Sequence, residues 1–140
     1  MRRSSIDIIA QGPGGLGDRM QRLMDRLPPG PVVIIGSDIP TIGRGDIASA
    51  FRVLGRTDAV FGPADDGGYW LVGLRRTPRI LRLFAGVRWS SAHALADTVR
   101  NVDGDEVSLL STMADIDDEA GYLRWRGGHR ASYNRPGCRR

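Results

Sequence analysis

Lysine is absent, and all 20 basic residues of this 140-residue chain are arginine. Chemistry that needs an amine side chain, from a Schiff base to the lysine of a P-loop, is therefore excluded. Cysteine is almost absent too: the single thiol, Cys138, has no internal disulfide partner, which fits a reducing compartment and makes a cytoplasmic protein the expectation. The two histidines, His93 and His129, are far apart and no Cys/His spacing exists, so a zinc site is not expected. No G-x-S-x-G elbow supports a serine triad. No apolar run approaches the roughly 18 to 20 residues that cross a bilayer, and Met1-Arg2-Arg3 leads into Ser-Ser-Ile-Asp, not an apolar signal core.

The charge is unevenly spread. The net charge is +4, yet no acid follows Glu119 and residues 124–140 hold six arginines, leaving 14 arginines against 16 acids in residues 1–123. The body is thus mildly acidic, and the basic character belongs to a Gly- and Arg-containing tail with too little apolar content to pack. The expected organisation is one domain over residues 1–125 and a basic, disordered tail over 126–140.

Strand and helix patterns alternate along the body. Val32-Val-Ile-Ile35 is a β-branched run that reads as a strand buried on both faces, and Ala59–Pro63 and Tyr69–Leu74 are two more separated by a polar turn. Ile6–Ile9 and Val107–Leu110 are weaker strand candidates. Leu16, Met20, Leu23, Met24 and Leu27 fall at helical spacing and end at Pro28-Pro29; further helical stripes run through Ile47–Leu54, Ala92–Val99 and Ala120–Trp125. This alternation predicts an α/β domain with a mostly parallel sheet. In such sheets ligands bind at the carboxyl ends of the strands.

Three acidic segments occupy such positions. Asp38 follows the Val32–Ile35 run, where it reads either as an oxygen ligand for a hard cation or as a turn aspartate ahead of Pro40. Asp65-Asp66-Gly67-Gly68-Tyr69 reads as a tight turn that also has the carboxylates, glycines and aromatics suited to a sugar. Asp115 and Asp117 precede the last helical stripe and are either helix-capping acids or, by alternation, a pair on one side of an extended segment. The loop Gly12-Pro-Gly-Gly-Leu-Gly-Asp18 is a weak phosphate-loop candidate, since no lysine follows it.

Taken together, G-S-D-I-P (36–40), F-G-P-A-D-D-G-G-Y-W-L-V-G-L (61–74), V-R-W-S (87–90), D-I-D (115–117) and L-G-D-R-M (16–20) carry a resemblance over residues 5–125. In that order the chain resembles a bacterial family of uncharacterised proteins labelled as glycosyltransferases, some as arsenosugar biosynthesis glycosyltransferases, within the nucleotide-diphospho-sugar transferase superfamily. The resemblance implies a three-layer α/β/α fold of the GT-A type. It also implies Mg²⁺ or Mn²⁺ held by Asp38, Asp115 and Asp117, and Asp66 in a catalytic role. Asp65, Gly67, Gly68, Tyr69, Trp89 and Ser90 would bind substrate. The expected partners are a nucleotide-sugar or nucleotide donor and a small-molecule acceptor, with glycosyl transfer favoured over nucleotidyl transfer.

Family members begin with a further strand and a basic glycine-containing loop that this sequence lacks ahead of residue 5. The resemblance thus implies an open sheet edge beside Val32–Ile35, through which copies of the chain could associate. The alternative to a transferase is a non-catalytic remnant of the fold that acts as a binding or interaction protein. A nucleic-acid-binding module is disfavoured by the acidic body and by the scarcity of aromatic stacking groups beyond Tyr69-Trp70.

Overall fold

The computed structural model describes residues 6–37, 39, 41–102 and 105–113. Asp38, Asp115, Asp117, the Ala120–Trp125 stripe and the tail from 126 to 140 lie outside the described residues, as does the expected boundary at residue 125. The elements in order are α1 (Leu16–Arg26), β1 (Val32–Ile35), α2 (Arg44–Leu54), β2 (Ala59–Pro63), β3 (Tyr69–Leu74), α3 (Ala94–Arg100) and β4 (Val107–Leu109).

The four strands form one sheet in the order β1-β3-β2-β4. β2 and β4 pair in parallel, and β3 pairs antiparallel to both β1 and β2. Three strands therefore share one direction and β3 opposes them. The reason is local, because only residues 64–68 separate β2 from β3. A connection that short closes a hairpin and cannot make the crossover a parallel pair requires.

Side-chain alternation divides the core between the two faces of the sheet. Ala59, Phe61, Val72 and Leu74 join Met20 and Met24 of α1 with Leu83, Phe84 and Val102 on one face. Val60, Trp70 and Leu71 join Ala50, Val53 and Leu54 of α2 with Ile39 on the other. The result is a three-layer α/β/α arrangement. Fully buried side chains such as Phe61, Met24 and Leu74 each contribute about 1.5–3 kcal/mol of transfer free energy.

One irregularity decides where the aromatic residues go. Gly62 pairs with Leu71 and Pro63 with Tyr69, so Trp70 is an extra residue in β3. The two residues of such a bulge face the same side, and Trp70 and Leu71 both pack on the α2 face. Tyr69 is thereby turned to the opposite face, beside Phe61 and Trp89. In an unbroken alternation Tyr69 would have shared the face of Leu71.

Ile6–Ile9 forms no strand, contrary to the sequence pattern. Ile6 is 92% and Ile8 98% exposed, and no described strand pairs with them. The apolar alternation is there, but it lacks the neighbouring strand without which a β-segment has nothing to bond to. β1 stands at the edge of the sheet, bonded on one side only. Gly36 N–H donates to Trp70 O at 3.0 Å, and the register Ile34↔Val72, Val32↔Leu74 continues that bonded pair at alternate positions. By the same alternation the backbone groups of Val33 and Ile35 point away from β3, toward the open edge.

Candidate functional site

Because β1, β2 and β4 share a direction, their carboxyl ends lie along one border of the sheet, and β3 begins there. Ile39 and Thr41 follow β1, residues 64–68 follow β2, and residues 110–113 follow β4. These loops are bonded to one another. Asp65 N–H donates to Met113 O (3.1 Å), Met113 N–H donates to Pro63 O (2.9 Å), and Trp70 Nε1 donates to Ser111 O (3.3 Å). The Thr41 hydroxyl reaches Met113 Sδ at 3.6 Å, and Ile39, Ile42 and Met113 pack in one cluster.

The hairpin after β2 is held by its own atoms. Ala64 N–H donates to Gly68 O (2.9 Å), Gly67 N–H to Ala64 O (3.3 Å), and Gly68 N–H to Asp66 Oδ1 (2.8 Å). The turn reading of Asp66 is thus realised, and it leaves the second carboxylate oxygen, Oδ2, without a hydrogen-bond partner among the described residues. Asp65 and Asp66 are both exposed. Gly67 has φ +88°, and a Cβ on it would lie 2.2 Å from Ala92 O. Only glycine fits, and its carbonyl accepts from Leu95 N–H at 3.0 Å. The hairpin is thereby seated on the first turn of α3.

A second wall is built by residues 87–91. Trp89 stacks edgewise on Tyr69 (centroids 6.3 Å apart) and tilts against Phe84 (6.2 Å). Ser90 is exposed and has a left-handed backbone, φ +54°. The Tyr69 hydroxyl lies 3.3 Å from Thr98 Oγ1. Thr98 spends its proton on Ala94 O (2.8 Å), so the tyrosine is the donor. Burial pushes the Tyr69 hydroxyl up to about 12. It therefore stays neutral over the physiological range and is not a base there.

A charge pair that the sequence reading missed locks this segment. Asp97, in α3, accepts from the backbone N–H of Arg88 (3.0 Å), from its Nε (2.9 Å) and from its Nη2 (2.9 Å). The Arg88 side-chain hydrogen bonds hold the Asp97 carboxyl well below the usual carboxylate range. The signal was present: Ala94, Asp97 and Thr98 share one helix face, and an acid on a buried face needs a partner.

Asp18 Oδ2 accepts from Gly15 N–H at 3.2 Å, so the glycine loop ahead of α1 is closed by a carboxylate of the chain itself. The described residues contain no group of three His, Cys, Asp or Glu side chains that could hold a metal ion. They also contain no helix long and apolar enough to cross a membrane.

No curated protein matches the chain. Among solved structures, the chain is similar to the crystal structure of a "putative nucleotide-diphospho-sugar transferase" from Desulfovibrio desulfuricans G20, with 32% identity and a TM-score of 0.73 over 89% of this chain. The match spans 57% of that protein's length. The three-layer α/β architecture is accordingly that of a nucleotide-diphospho-sugar transferase. Residues 1–91 match a family described as uncharacterized proteins conserved in bacteria, and this chain belongs to that family, DUF2064.

Proposed function

We propose that the chain carries the catalytic half of a metal-dependent transferase that takes a nucleotide-diphospho-sugar donor, with glycosyl transfer favoured over nucleotidyl transfer. The observation that supports this most is the convergence at the carboxyl border of the sheet. The chain on the far side of Asp38, through Ile39 and Thr41, touches Met113, and Met113 is bonded to Asp65. Asp115 and Asp117 follow Met113 by two and four residues. Asp38, Asp115 and Asp117 are the ligands proposed for Mg²⁺ or Mn²⁺, hard cations that take carboxylate oxygens. The cation would supply charge neutralisation of the donor pyrophosphate as the bond to the sugar breaks.

The remaining work falls to the chain's own side chains. Asp66 has one carboxylate oxygen fixed by its turn and the other without a partner among the described residues, which suits a base that removes a proton from an acceptor hydroxyl. Tyr69 and Trp89 give an apolar wall for a sugar face, and the Gly67-Gly68 backbone allows close approach.

Calorimetry with uridine and guanosine diphosphates, with and without Mn²⁺, tests this reading. Nucleotide binding that depends on the cation is expected, and binding that is equal in its absence would sink the metal-dependent mechanism. One observation favours a second reading, a binding protein without catalysis: among the described residues β1 has a strand partner on one side only. No binding of any nucleoside diphosphate would favour it.

A further inference from the structure

We infer that Asp97 is a positioning residue that holds the Trp89-Ser90 segment in place beside Tyr69, at the foot of the Asp65–Gly68 hairpin, so that the two loops keep one geometry. The inference rests on the reading that these loops form the substrate pocket. It is carried by the way both are attached to α3. The hairpin hangs on Leu95 N–H through Gly67 O (3.0 Å), and two residues further along the same helix Asp97 grips Arg88 through three hydrogen bonds.

The grip is directional. The Asp97 side chain is 7% exposed and that of Arg88 is 57% exposed, so the carboxylate is the fixed member and the guanidinium reaches in to it. Both oxygens are used by the planar fork, and Oδ2 also accepts the Arg88 backbone N–H. The bond to the main chain fixes the backbone immediately before Trp89, as well as the arginine side chain. Arg100 stands 4.0 Å from Oδ1 and adds a second, more distant cation.

Downstream of that anchor the chain is closed on itself. Trp89 N–H donates to Val87 O (3.0 Å), Ser91 Oγ donates to Arg88 O (2.5 Å), and His93 N–H donates to Ser91 Oγ (3.1 Å). This turn holds Ser90 in its left-handed conformation, uncommon for a serine. Among the described residues Asp97 makes the only charged link between the turn and α3. Without it the turn can keep its internal bonds while rotating as a body, carrying the indole off Tyr69 and Ser90 with it.

The test uses the full chain labelled with 5-fluorotryptophan, the Trp89 fluorine resonance being assigned through Trp89→Phe. Asp97→Asn keeps the shape but sets an amide N–H₂ against the guanidinium donors. In that variant the Trp89 line is expected to shift or broaden while the Trp70 line stays in place, and the Kd for uridine diphosphate with Mn²⁺ should rise about tenfold. Arg88→Lys, altered on the exposed side of the pair, keeps the charge and loses the fork. It should give a smaller movement of the same line, and it serves if Asp97→Asn does not fold. A Trp89 line unmoved in the folded variants overturns the inference. So does a moved line with unchanged affinity, since Asp97 would then serve the fold alone. If the unaltered chain binds neither uridine nor guanosine diphosphate, the transferase reading fails, and the fluorine spectrum still decides whether Asp97 positions Trp89.

Discussion

The indole of Trp70 lies directly over Gly62: a Cβ on the glycine would stand 2.3 Å from Cε2 of the ring. The glycine is what lets the extra residue of β3 fold down on the α2 face, and this in turn sends Tyr69 to the other face, toward Trp89. Gly62→Ala must push back a ring that is 2% exposed. Overpacking of this kind costs about 1–3 kcal/mol, and each kcal/mol moves the melting midpoint of a domain this size by roughly 3–6 °C. Scanning calorimetry should show a drop of roughly 3–18 °C; a midpoint unchanged to within a degree would mean that the bulge tolerates a side chain at 62.

A second prediction concerns Arg76, which is 8% exposed and makes no ion pair among the described residues. Its guanidinium donates to Met24 O (2.8 Å), Leu27 O (2.9 Å), Gly30 O (2.6 Å) and Pro28 O. These include carbonyls at the end of α1, which have no partner within the helix. Arg76→Met fills the space and removes every donor. The Met24 carbonyl bond is buried and the other three are part-buried; a buried carbonyl left unpaired costs about 1–3 kcal/mol, so urea denaturation should show a loss of about that size, with Arg76→Lys recovering part of it. A loss below about 1 kcal/mol would mean that water replaces the guanidinium.

The pH dependence of stability should have two identifiable limbs. Asp97 is depressed in the folded protein by its bonds from Arg88, so its stabilising effect is complete above the unfolded carboxylate pKa and is lost as pH falls through the folded value. Tyr69 is raised from 10.0 to about 12. The folded state therefore holds a proton that the unfolded state releases, and stability declines as pH climbs from 10 toward 12. Denaturation midpoints measured across pH should lose the acid limb in Asp97→Asn and the alkaline limb in Tyr69→Phe. Persistence of either limb in its variant would assign it to another group.

The sequence made most of the fold legible where a pattern is local. Four strands and three helices follow from the β-branched run of β1, the apolar stripe of α1 and the hairpin turn, because each is specified by its own residues. Features that depend on distant partners were not legible. The bulge at Trp70 follows from a ring needing the space over Gly62, and the unpaired state of Ile6–Ile9 from the lack of an adjacent described strand, whereas the opposed direction of β3 follows from the short loop before it. At the site, the hairpin residues Asp65–Tyr69 and the pair Trp89-Ser90 do come together around α3. The Arg88–Asp97 lock that fixes them spans nine positions and becomes visible only once α3 is packed.

The open edge of β1 should be measurable as association. Ile35 is 43% exposed, and the outward backbone groups of Val33 and Ile35 have no strand to bond among the described residues. Unprotected edges of this kind pair with other chains, and a charged residue on the edge blunts them. Light scattering at tens of micromolar is expected to show species larger than a monomer, and Ile35→Lys should shift them toward the monomer. A clean monomer in the unaltered chain would show that the edge is covered.

The last prediction separates the two roles proposed for carboxylates. A metal ligand supports donor binding, whereas a general base acts on the acceptor after the donor is bound, so their loss should be read in different constants. Asp38→Asn keeps the side-chain shape and removes the charge. It should abolish the Mn²⁺-dependent part of nucleoside diphosphate binding and leave the melting midpoint nearly unchanged. Asp66→Asn still presents an oxygen to Gly68 N–H, which the carboxylate now accepts at 2.8 Å, so the hairpin and donor binding should survive. What it loses is the ability to accept a proton, and removal of a general base costs typically 10²–10⁴-fold in turnover. Asp18→Asn serves as the control, since Asp18 caps α1 and its change should cost at most about 1 kcal/mol of stability with no effect on either constant. If Asp66→Asn weakens donor binding as much as Asp38→Asn does, the hairpin belongs to the cation site and another group must take the acceptor proton. If Asp38→Asn leaves the metal dependence intact, the cation is held elsewhere and the metal assignment falls.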